Sequence, residues 1–258
     1  MHKYGLLKMS KHKTEVIFGI HAVESALRRN PEQMLQLWVQ AGRKDKRMQT
    51  ILGLAGTHGV SVETCSRDAL QKKCSDQKHQ GVVARIRADK QLQPELKDIL
   101  ARPELLLLVL DGVQDPHNLG ACLRSADASG VDAVIVSKNR SPGLTPVVRN
   151  VASGAAETTP FIQVSNLARA LQQLKDNDVW IVGTAGEAAT SLYDSTASNR
   201  LAIVMGSEGE GMRRLTREAC DELIYIPMQG QVESLNVSVA TGVCLFEYRR
   251  KLAASNAA

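Results

Sequence analysis

Short apolar runs alternate along the chain with stretches whose apolar positions recur every three or four residues. The runs predict strands, and the recurring positions predict amphipathic helices. Near the end of the first third of the chain, Arg85 and Arg87 alternate with apolar neighbours, as on a strand with one exposed face. This region predicts strands at Val16–Phe18, Leu35–Val39, Val60–Thr64 and Val82–Ala88, and helices at Ala22–Arg29, at Asp45–His58 and from Ser66 to Lys73.

A second series begins at Leu105–Leu110, an apolar run that predicts a strand buried on both faces. The preceding residues 89–103 are polar, contain Pro94 and Pro103, and predict a linker with one short helix. Later strands are predicted at Ala133–Val136, Phe161–Val164, Val179–Val182, Leu201–Met205 and Leu223–Ile226. Helices are predicted at Leu119–Ala128, Val147–Ala156, Leu167–Lys175, Met212–Ala219 and Leu235–Lys251.

Strands that alternate with helices in this way are typical of a mostly parallel sheet covered by helices on both faces. The pattern therefore predicts an α/β fold. We expect four segments: a basic tail at 1–14, a small α/β domain at 15–88, the linker at 89–103, and a larger α/β domain at 104–258.

Positive charge is concentrated in the first third of the chain. Residues 1–90 contain 17 Lys and Arg against 8 Asp and Glu, whereas residues 91–258 contain 15 against 19. The resulting charges of +9 and −4 sum to the +5 of the whole chain. This distribution favours a nucleic acid as partner, although a basic surface that only aids solubility explains the same counts. Expected contacts to an RNA backbone come from Lys3–Lys13, Arg28, Arg29, Arg43–Arg47, Arg85 and Arg87.

Other features of the composition exclude several classes of protein. No apolar run approaches the roughly 20 residues of a membrane helix, and the N-terminus has no apolar signal core. Five Cys without a C-x-x-C pair argue against a disulfide framework. The six His are dispersed without zinc-ligand spacing. We therefore expect a reduced, cytoplasmic protein without a metal. Three Phe and four Tyr favour recognition of folded RNA by shape over base stacking.

Three segments of the larger domain carry polar residues directly after predicted strands. The first is N-L-G-A-C-L-R-S-A at residues 118–126. Asn118 is placed to cap the helix, and Arg124 lies within its second turn. Taken alone, the segment is unremarkable, because Asn caps are common and an Arg on a helix usually faces water.

The second segment is G-S-E-G-E-G at residues 206–211. Its G-x-x-G-x-G spacing differs from the dinucleotide and phosphate-loop fingerprints, and Glu208 and Glu210 disfavour a phosphate there. Glycines that expose backbone N–H groups to a neutral or cationic ligand fit the segment better. A plain turn is the alternative, although one glycine usually suffices for a turn.

The third segment, I-P-M-Q-G-Q-V-E-S-L-N-V-S-V-A at residues 226–240, joins the last strand to the last helix. Gly230, Ser234 and Asn236 give it more polar chemistry than a connection requires. The strand Val179–Val182 also ends in a glycine turn, G-T-A-G. Because ligands of α/β sheets bind outside the carboxyl ends of the strands, these loops predict one shared crevice.

The three segments resemble the signature motifs of the SpoU family of RNA ribose 2′-O-methyltransferases, within the SPOUT superfamily. N-x-G-x-x-x-R-x-A is met at residues 118–126, G-x-E-x-x-G at 206–211, and S-L-N-V-S-V-A at 234–240. The resemblance extends over nearly the whole chain, and the N-terminal domain resembles the family's L30-like substrate-binding domain. The stretches at 111–130 and 209–218 are most similar to members that methylate a guanosine ribose in the peptidyl-transferase region of 23S ribosomal RNA.

The resemblance implies features that periodicity does not show. Family members have a deep trefoil knot at the C-terminal end of the catalytic domain, and the knot forms the S-adenosylmethionine site. They act as homodimers with the knot region at the interface. By resemblance, the backbone around six residues holds the cofactor, namely Thr184, Met205, Gly206, Ile226, Met228 and Leu235. The implied catalytic residues are Asn118, Arg124, Glu208, Ser234 and Asn236.

Methylation of a ribose 2′-hydroxyl requires help in removing its proton, because the hydroxyl is a weak acid. The family assigns this activation to the motif arginine, here Arg124. Since a guanidinium rarely gives up its proton in a protein, we expect Arg124 to bind the developing alkoxide and an adjacent phosphate. Water or the phosphate then relays the proton. A neutral Arg124 in a special pocket is the alternative, and His117 is a second candidate base outside the family pattern.

The other polar residues are expected to position the reactants. Asn118 would orient Arg124 or the ribose, and Glu208 would accept hydrogen bonds from either. Ser234 and Asn236, at the start of the last helix, would fix substrate or cofactor. Cys122 lies beside the first motif but lacks a partner for nucleophilic catalysis.

Two further functions remain open. A transfer RNA methyltransferase would carry the same site pattern, and an RNA-binding or ribosome-assembly protein could use the same scaffold without catalysis. The complete polar set argues against a protein that only binds RNA. A dehydrogenase or NTPase is disfavoured because neither fingerprint is present.

Overall fold

The computed structural model describes residues 14–74, 79–87 and 95–255. The chain divides into two compact units near residue 92. The expected RNA contacts at Lys3–Lys13 lie outside the described residues, as does the first part of the expected linker, through residue 94. In the second part of that linker, Leu96, Ile99 and Leu100 are buried in the core of the second unit.

The N-terminal unit is a four-stranded sheet with a helix pair on one face and a single helix on the other. Strand order is β1-β4-β2-β3; β4 is antiparallel to both neighbours, and β3 is parallel to β2. Every predicted element is present, with ends shifted by at most two residues. The elements are β1 (Thr14–Phe18), α1 (Ile20–Arg29), β2 (Met34–Gln40), α2 (Lys46–Thr57), β3 (Val62–Cys65), α3 (Arg67–Cys74) and β4 (Val82–Arg87).

The second unit contains a seven-stranded sheet in which every strand pairing among the described residues is parallel. This confirms the predicted α/β class with a mostly parallel sheet. Its elements are α4 (Leu96–Leu100), β5 (Leu105–Asp111), α5 (Pro116–Ala128), β6 (Ala133–Ser137), α6 (Pro146–Ala152), β7 (Phe161–Val164), α7 (Leu167–Lys175), β8 (Trp180–Thr184), β9 (Thr190–Ser191), β10 (Arg200–Gly206), α8 (Arg214–Glu218), β11 (Glu222–Tyr225) and α9 (Val237–Ser255).

Helices cover both faces of this sheet. Leu119 of α5, Val148 of α6 and Tyr248 of α9 share one buried cluster with one face of the strands. Ile99 of α4 and Leu171 of α7 pack on the opposite face. All seven residues of β5 are buried, which explains why this strand reads as a continuous apolar run.

The strand order β7-β6-β5-β10-β8-β11-β9 places a topological switch between β5 and β10. From β5 the chain builds outward through β6 and β7, and then continues on the other side with β8. In open parallel sheets such a switch leaves a crevice at the carboxyl ends of the strands, where ligands bind.

Several predicted boundaries were wrong, for identifiable reasons. Helix α5 begins at Pro116 instead of Leu119, because Asp115 caps it by accepting a hydrogen bond from the His117 backbone at 2.9 Å. Asn118 therefore lies in the first turn and is not the cap. Helix α6 stops at Ala152, since Ser153 and Gly154 adopt left-handed conformations, and the predicted stretch continues as a 3-10 turn. Strand β9 had no counterpart in the prediction.

Candidate active site

The two loops at the switch point lie side by side. Strands β5 and β10 are parallel neighbours, and their last residues, Asp111 and Gly206, are register partners. The loop after β5 leads into α5 and Asn118, whereas the loop after β10 carries Glu208. The first and second sequence motifs are thus brought to one edge of the sheet, where ligands of parallel α/β sheets bind.

The loop after β10 folds back on itself. The Ser207 N–H donates to the Gly211 carbonyl at 3.1 Å, and the Gly211 N–H donates to the Ser207 carbonyl at 3.0 Å. A Cβ on Gly206 would lie 2.3 Å from the backbone carbon of Gly211 and 2.4 Å from the Met212 nitrogen. Only glycine fits at the base of this loop. Packing therefore requires glycine at position 206, in addition to the implied role of Gly206 near the cofactor.

An ion pair between a buried carboxylate and a partly exposed arginine ties this loop to β5. The carboxylate of Asp111 is buried and accepts from the Arg213 side chain, Nε at 2.7 Å and Nη2 at 2.6 Å, and from the Arg213 backbone N–H at 2.9 Å. The pairing joins the last residue of β5 to the residue before α8, 102 residues further along the chain. Both residues lie in the stretches at 111–130 and 209–218, but neither was predicted as a site residue, because a pair so distant in sequence leaves no local signal.

Three of the predicted catalytic residues form a hydrogen-bonded cluster. The Asn118 Nδ2 group donates to Glu208 Oε1 at 3.2 Å, and the Asn236 Nδ2 group donates to the same oxygen at 2.5 Å. Asn236 Nδ2 also donates to Asn118 Oδ1 at 3.0 Å. One residue from each sequence motif therefore meets at a single point at the switch between β5 and β10.

The cluster is anchored on the N-terminus of α9. The Val237 backbone N–H donates to Glu208 Oε1 at 3.2 Å, so a carboxylate lies at the positive end of a long helix. Asn236 Oδ1 accepts from the Ser238 N–H at 2.9 Å and from Ser238 Oγ at 2.6 Å. With its oxygen held by Ser238, the Asn236 amide must present its NH2 group to Glu208 and Asn118.

Arg124 and Ser234 are not part of this cluster. Both side chains are exposed and make no hydrogen bond or ion pair with any residue that the structure describes. Arg124 is six residues beyond Asn118 on α5, a separation that places the two on different faces of the helix. The structure therefore brings together three members of the predicted catalytic set and leaves two apart.

The residues expected to hold the cofactor lie at the ends of three neighbouring strands, β10, β8 and β11. Met205 and Gly206 end β10, and Thr184 ends β8, where its Oγ1 donates to the Val204 carbonyl at 3.3 Å. Ile226 and Met228 follow β11, and Leu235 directly precedes Asn236. All six residues are half-buried except Met205, which is buried.

The segment from Ile226 to Leu235 makes no hydrogen bond to any described residue, through either backbone or side chains. Polar backbone groups at a partly covered surface need partners from solvent or a ligand. Apolar side chains beside unpaired backbone donors and acceptors suit a cofactor with an adenine ring and a polar tail, so these residues fit S-adenosylmethionine.

The remaining candidates fit catalysis poorly. His117 is exposed, and its imidazole makes no hydrogen bond or ion pair with the described residues. Burial raises the pKa of the Cys122 thiol to about 11, and its Sγ lies 3.5 Å from Thr241 Oγ1. A thiol that stays protonated is a poor nucleophile. Within the described part of the chain, no group of His, Cys, Asp or Glu could hold a metal ion.

A parallel α/β sheet with a polar cluster at its switch point and half-buried loops beside it is the arrangement in which α/β proteins bind ligands. Family comparison specifies the class. Residues 105–246 match the model of the SpoU rRNA methylase family, and residues 16–92 match the model for RNA 2′-O ribose methyltransferase substrate binding. The chain belongs to the SpoU rRNA methylase family.

Individual relatives cover nearly the whole chain. The 23S rRNA (guanosine-2′-O-)-methyltransferase RlmB of Shewanella oneidensis is 54% identical over 93% of this chain and 98% of its own length. A crystal structure of an RNA 2′-O ribose methyltransferase matches with a TM-score of 0.81 at 28% identity, covering 94% of this chain and 90% of the other. The SpoU methyltransferase AviRb of Streptomyces viridochromogenes, solved with AdoMet, shares the fold, with a TM-score of 0.78, 21% identity, and coverage of 93% and 91%.

Among the described residues, no helix is both long and apolar enough to cross a membrane.

Proposed function

We propose that the chain transfers a methyl group from S-adenosylmethionine to the ribose 2′-hydroxyl of a guanosine in 23S ribosomal RNA. The observation that carries this proposal is the cluster of Asn118, Glu208 and Asn236 at the switch point. It lies beside strand ends that fit the cofactor, on a chain of the SpoU rRNA methylase family. The RlmB relative with 54% identity is named for this reaction.

The cofactor, when bound, supplies a sulfonium methyl group that is ready for transfer. In this proposal, the backbone around Thr184, Gly206 and Ile226 holds it at the ends of β8, β10 and β11. The cluster of Asn118, Glu208 and Asn236 then fixes the ribose at a defined point beside it, which removes most of the orientational cost of the reaction. Preorganised polar groups of this kind need no rearrangement as charge develops.

Arg124 supplies the cation in this mechanism. A guanidinium keeps its proton, so Arg124 acts by binding the developing alkoxide and a neighbouring phosphate, while the proton leaves through water or that phosphate. Because Arg124 has no partner among the described residues, its charge is available to RNA. If Arg124→Lys kept the full rate and an unchanged pH–rate profile, this role would be wrong.

The N-terminal unit is proposed to bind the RNA. Arg29, Lys44, Lys46 and Arg47 are exposed. In contrast, Arg28 pairs with Glu24 and Arg43 pairs with Asp45, so these two are less available for phosphate. Binding through such residues should weaken steeply with salt. RNA affinity that survived deletion of residues 1–88 would contradict the assignment.

A ribosomal substrate is favoured over transfer RNA because the similarity to rRNA methyltransferases includes the N-terminal region. Residues 16–92 match a substrate-binding family model, and the RlmB relative extends over both units. We also propose the domain limits expected from sequence, 15–88 and 104–258, with helix α4 of the expected linker packed into the core of the second domain, and a place of action in the cytoplasm.

A homodimer is proposed from an apolar stripe on α9. Val239 and Phe246 are 52% and 54% exposed, and half-buried Val243 lies between them at helical spacing. A second copy would cover this stripe. Light scattering should show a dimer, and Phe246→Glu should shift it towards monomer; a wild-type monomer at micromolar concentration would contradict the proposal. The deep trefoil knot implied by the family is part of the same proposal, and tracing the chain in an experimental structure tests it.

The activity is tested by mapping ribose methylation in RNA from cells with and without this gene. Loss of one 2′-O-methylguanosine in 23S rRNA is expected, and the purified protein with S-adenosylmethionine should restore it on the unmodified RNA. Loss at a transfer RNA position would support the tRNA alternative. No change at any position, together with no transfer in vitro, would leave only the non-catalytic alternative.

A further inference from the structure

One part of the second unit has a charge opposite to the rest. Residues 133–175 contain five cations, Lys138, Arg140, Arg149, Arg169 and Lys175, and one acid, Glu157, for a net charge of +4. The other residues of 91–258 contain 10 cations and 18 acids, for a net charge of −8. Such asymmetry within one folded unit creates a local positive potential on an otherwise negative body.

Ion pairing increases the difference in available positive charge between this segment and the rest of the unit. The second unit has 15 Lys and Arg side chains, and 11 of them contact an acidic side chain or a backbone carbonyl. The other four are exposed and make no side-chain hydrogen bond or ion pair within the described residues. They are Arg124, Lys138, Arg140 and Arg169. Three of the four therefore fall in the segment 133–175.

These three residues lie together at the carboxyl edge of β6 and β7. Lys138 directly follows β6, and its backbone N–H donates to the Val164 carbonyl at the end of β7 at 2.9 Å. The Arg140 N–H donates to the Ser137 carbonyl at 3.2 Å, so the turn stays over the strand ends. Arg169 is in the first turn of α7, which Asn166 caps just after β7 by accepting from the Arg169 N–H at 3.0 Å.

Strand order sets the position of this surface relative to the active site. The polar cluster of Asn118, Glu208 and Asn236 lies at the ends of β5 and β10. The cofactor residues occupy the same edge on the side of β8 and β11, whereas β6 and β7 lie on the other side of β5. With neighbouring strands about 5 Å apart, β7 is roughly 10 Å from β5. The exposed cations therefore flank the polar cluster on the side away from the cofactor.

We propose that Lys138, Arg140 and Arg169 form a binding surface for the RNA phosphate backbone, next to the target nucleotide. The inference rests on the proposed function and extends it, because it adds a second RNA contact region, in the catalytic unit. Phosphates are recognised by exposed cations that no protein acid has already neutralised. By holding the strand beside the target ribose, these residues position the 2′-hydroxyl at the polar cluster and leave the cofactor side free.

The test compares two triple variants with the same change in net charge. The first replaces Lys138, Arg140 and Arg169 by Gln. The matched control replaces Lys97, Arg102 and Arg214 by Gln, whose side chains pair with Glu95, Asp132 and Glu218, respectively. Full-length proteins are used, with a transcript of the peptidyl-transferase region of 23S rRNA. Measurements are RNA affinity from 50 to 300 mM salt, S-adenosylmethionine affinity, thermal unfolding, and methyl-transfer kcat and KM.

The first triple variant should bind RNA about tenfold or more weakly at 0.1 M salt, and its plot of log affinity against log salt should be shallower by about 2. Its KM for RNA should rise, while S-adenosylmethionine affinity and the unfolding temperature stay unchanged. The control should weaken RNA binding by less than about threefold. Equal weakening in the two triples, or unchanged binding in the first, would overturn the proposal. If the wild-type protein transferred no methyl group to RNA, the proposed function would fail instead, and the binding comparison would still judge the surface.

Discussion

The hydrogen bonds around Glu208 give a quantitative prediction for Glu208→Gln. Oε1 accepts from three N–H groups, those of Asn118, Asn236 and the Val237 backbone. The substitution keeps the shape of the side chain but removes its charge. Glu208 is exposed, so solvent screens these bonds, and we expect each to lose about 0.5 kcal/mol, or about 1.5 kcal/mol for the three. A loss of that size can lower the populated fraction of the ordered cluster about tenfold.

The assay is methyl transfer from labelled S-adenosylmethionine to unmodified 23S rRNA, with kcat and KM measured separately. We expect kcat to fall about tenfold, with little change in KM for RNA, because an ordering interaction is lost at the reacting centre. Glu210→Gln is the matched control. Glu210 lies in the same loop, is exposed, and makes no hydrogen bond or ion pair with the described residues.

Two results would refute this reasoning. If Glu208→Gln kept its rate within about threefold of wild type, the cluster would not limit catalysis. If Glu210→Gln lost as much activity, loop charge would matter instead of the hydrogen bonds at Oε1. A loss confined to S-adenosylmethionine affinity would reassign Glu208 from the ribose to the cofactor.

Three further predictions concern the surroundings of the site. Asp111→Ala should lower the free energy of unfolding by about 2 kcal/mol in urea titration, because the hydrogen bonds of its buried carboxylate to Arg213 are lost while water solvates the partly exposed guanidinium; an effect below about 0.5 kcal/mol would contradict a structural role. Gly206→Ala should reduce kcat by at least about tenfold, since the new Cβ lies 2.3 Å from the loop backbone. Gly186→Ala, with nothing within 4 Å, is its control, and equal losses would refute the packing argument. Burial raises the pKa of the Cys244 thiol from 9.0 to about 12. The folded state thus holds a proton that the unfolded state releases, so stability is full below pH 9 and falls as pH rises towards 12. Cys244→Ala should reduce this fall by about 1.4 kcal/mol per pH unit between those limits; an unchanged slope would be the contrary result.

The pattern of apolar residues was sufficient to predict the longer strands of both sheets, because the apolar positions of a strand are the positions that become buried. Leu105–Leu110 is apolar at every position and is buried at every position. Helix ends were less predictable, since they depend on single capping contacts. Asn118 was expected to cap α5, yet Asp115 does so one residue before Pro116. The two-residue strand β9 is too short to show a period in its sequence. It is a strand only because it pairs with β11.

The sequence predicted which residues form the site, but not how these residues are arranged. Motif resemblance selected Asn118, Glu208 and Asn236, and the structure brings these three into contact. The same resemblance gave no reason to place Arg124 apart from them. The ion pair of Asp111 with Arg213 joins residues that are adjacent only because β10 is inserted beside β5. Contacts of this kind follow from strand order, which local sequence does not encode.

The contacts of Glu208 also limit which group can remove the ribose proton. Its Oε1 already accepts three N–H groups, one of them at the N-terminus of α9, and a proton on either carboxylate oxygen would remove the negative charge that strengthens these bonds. Glu208 is therefore better suited to positioning than to general base catalysis. The Asn118 and Asn236 amides cannot accept a proton at neutral pH, and Arg124 carries one already. No member of the cluster is a competent base, so the proton must leave through water or an RNA phosphate, with Arg124 stabilising the oxygen that it leaves behind.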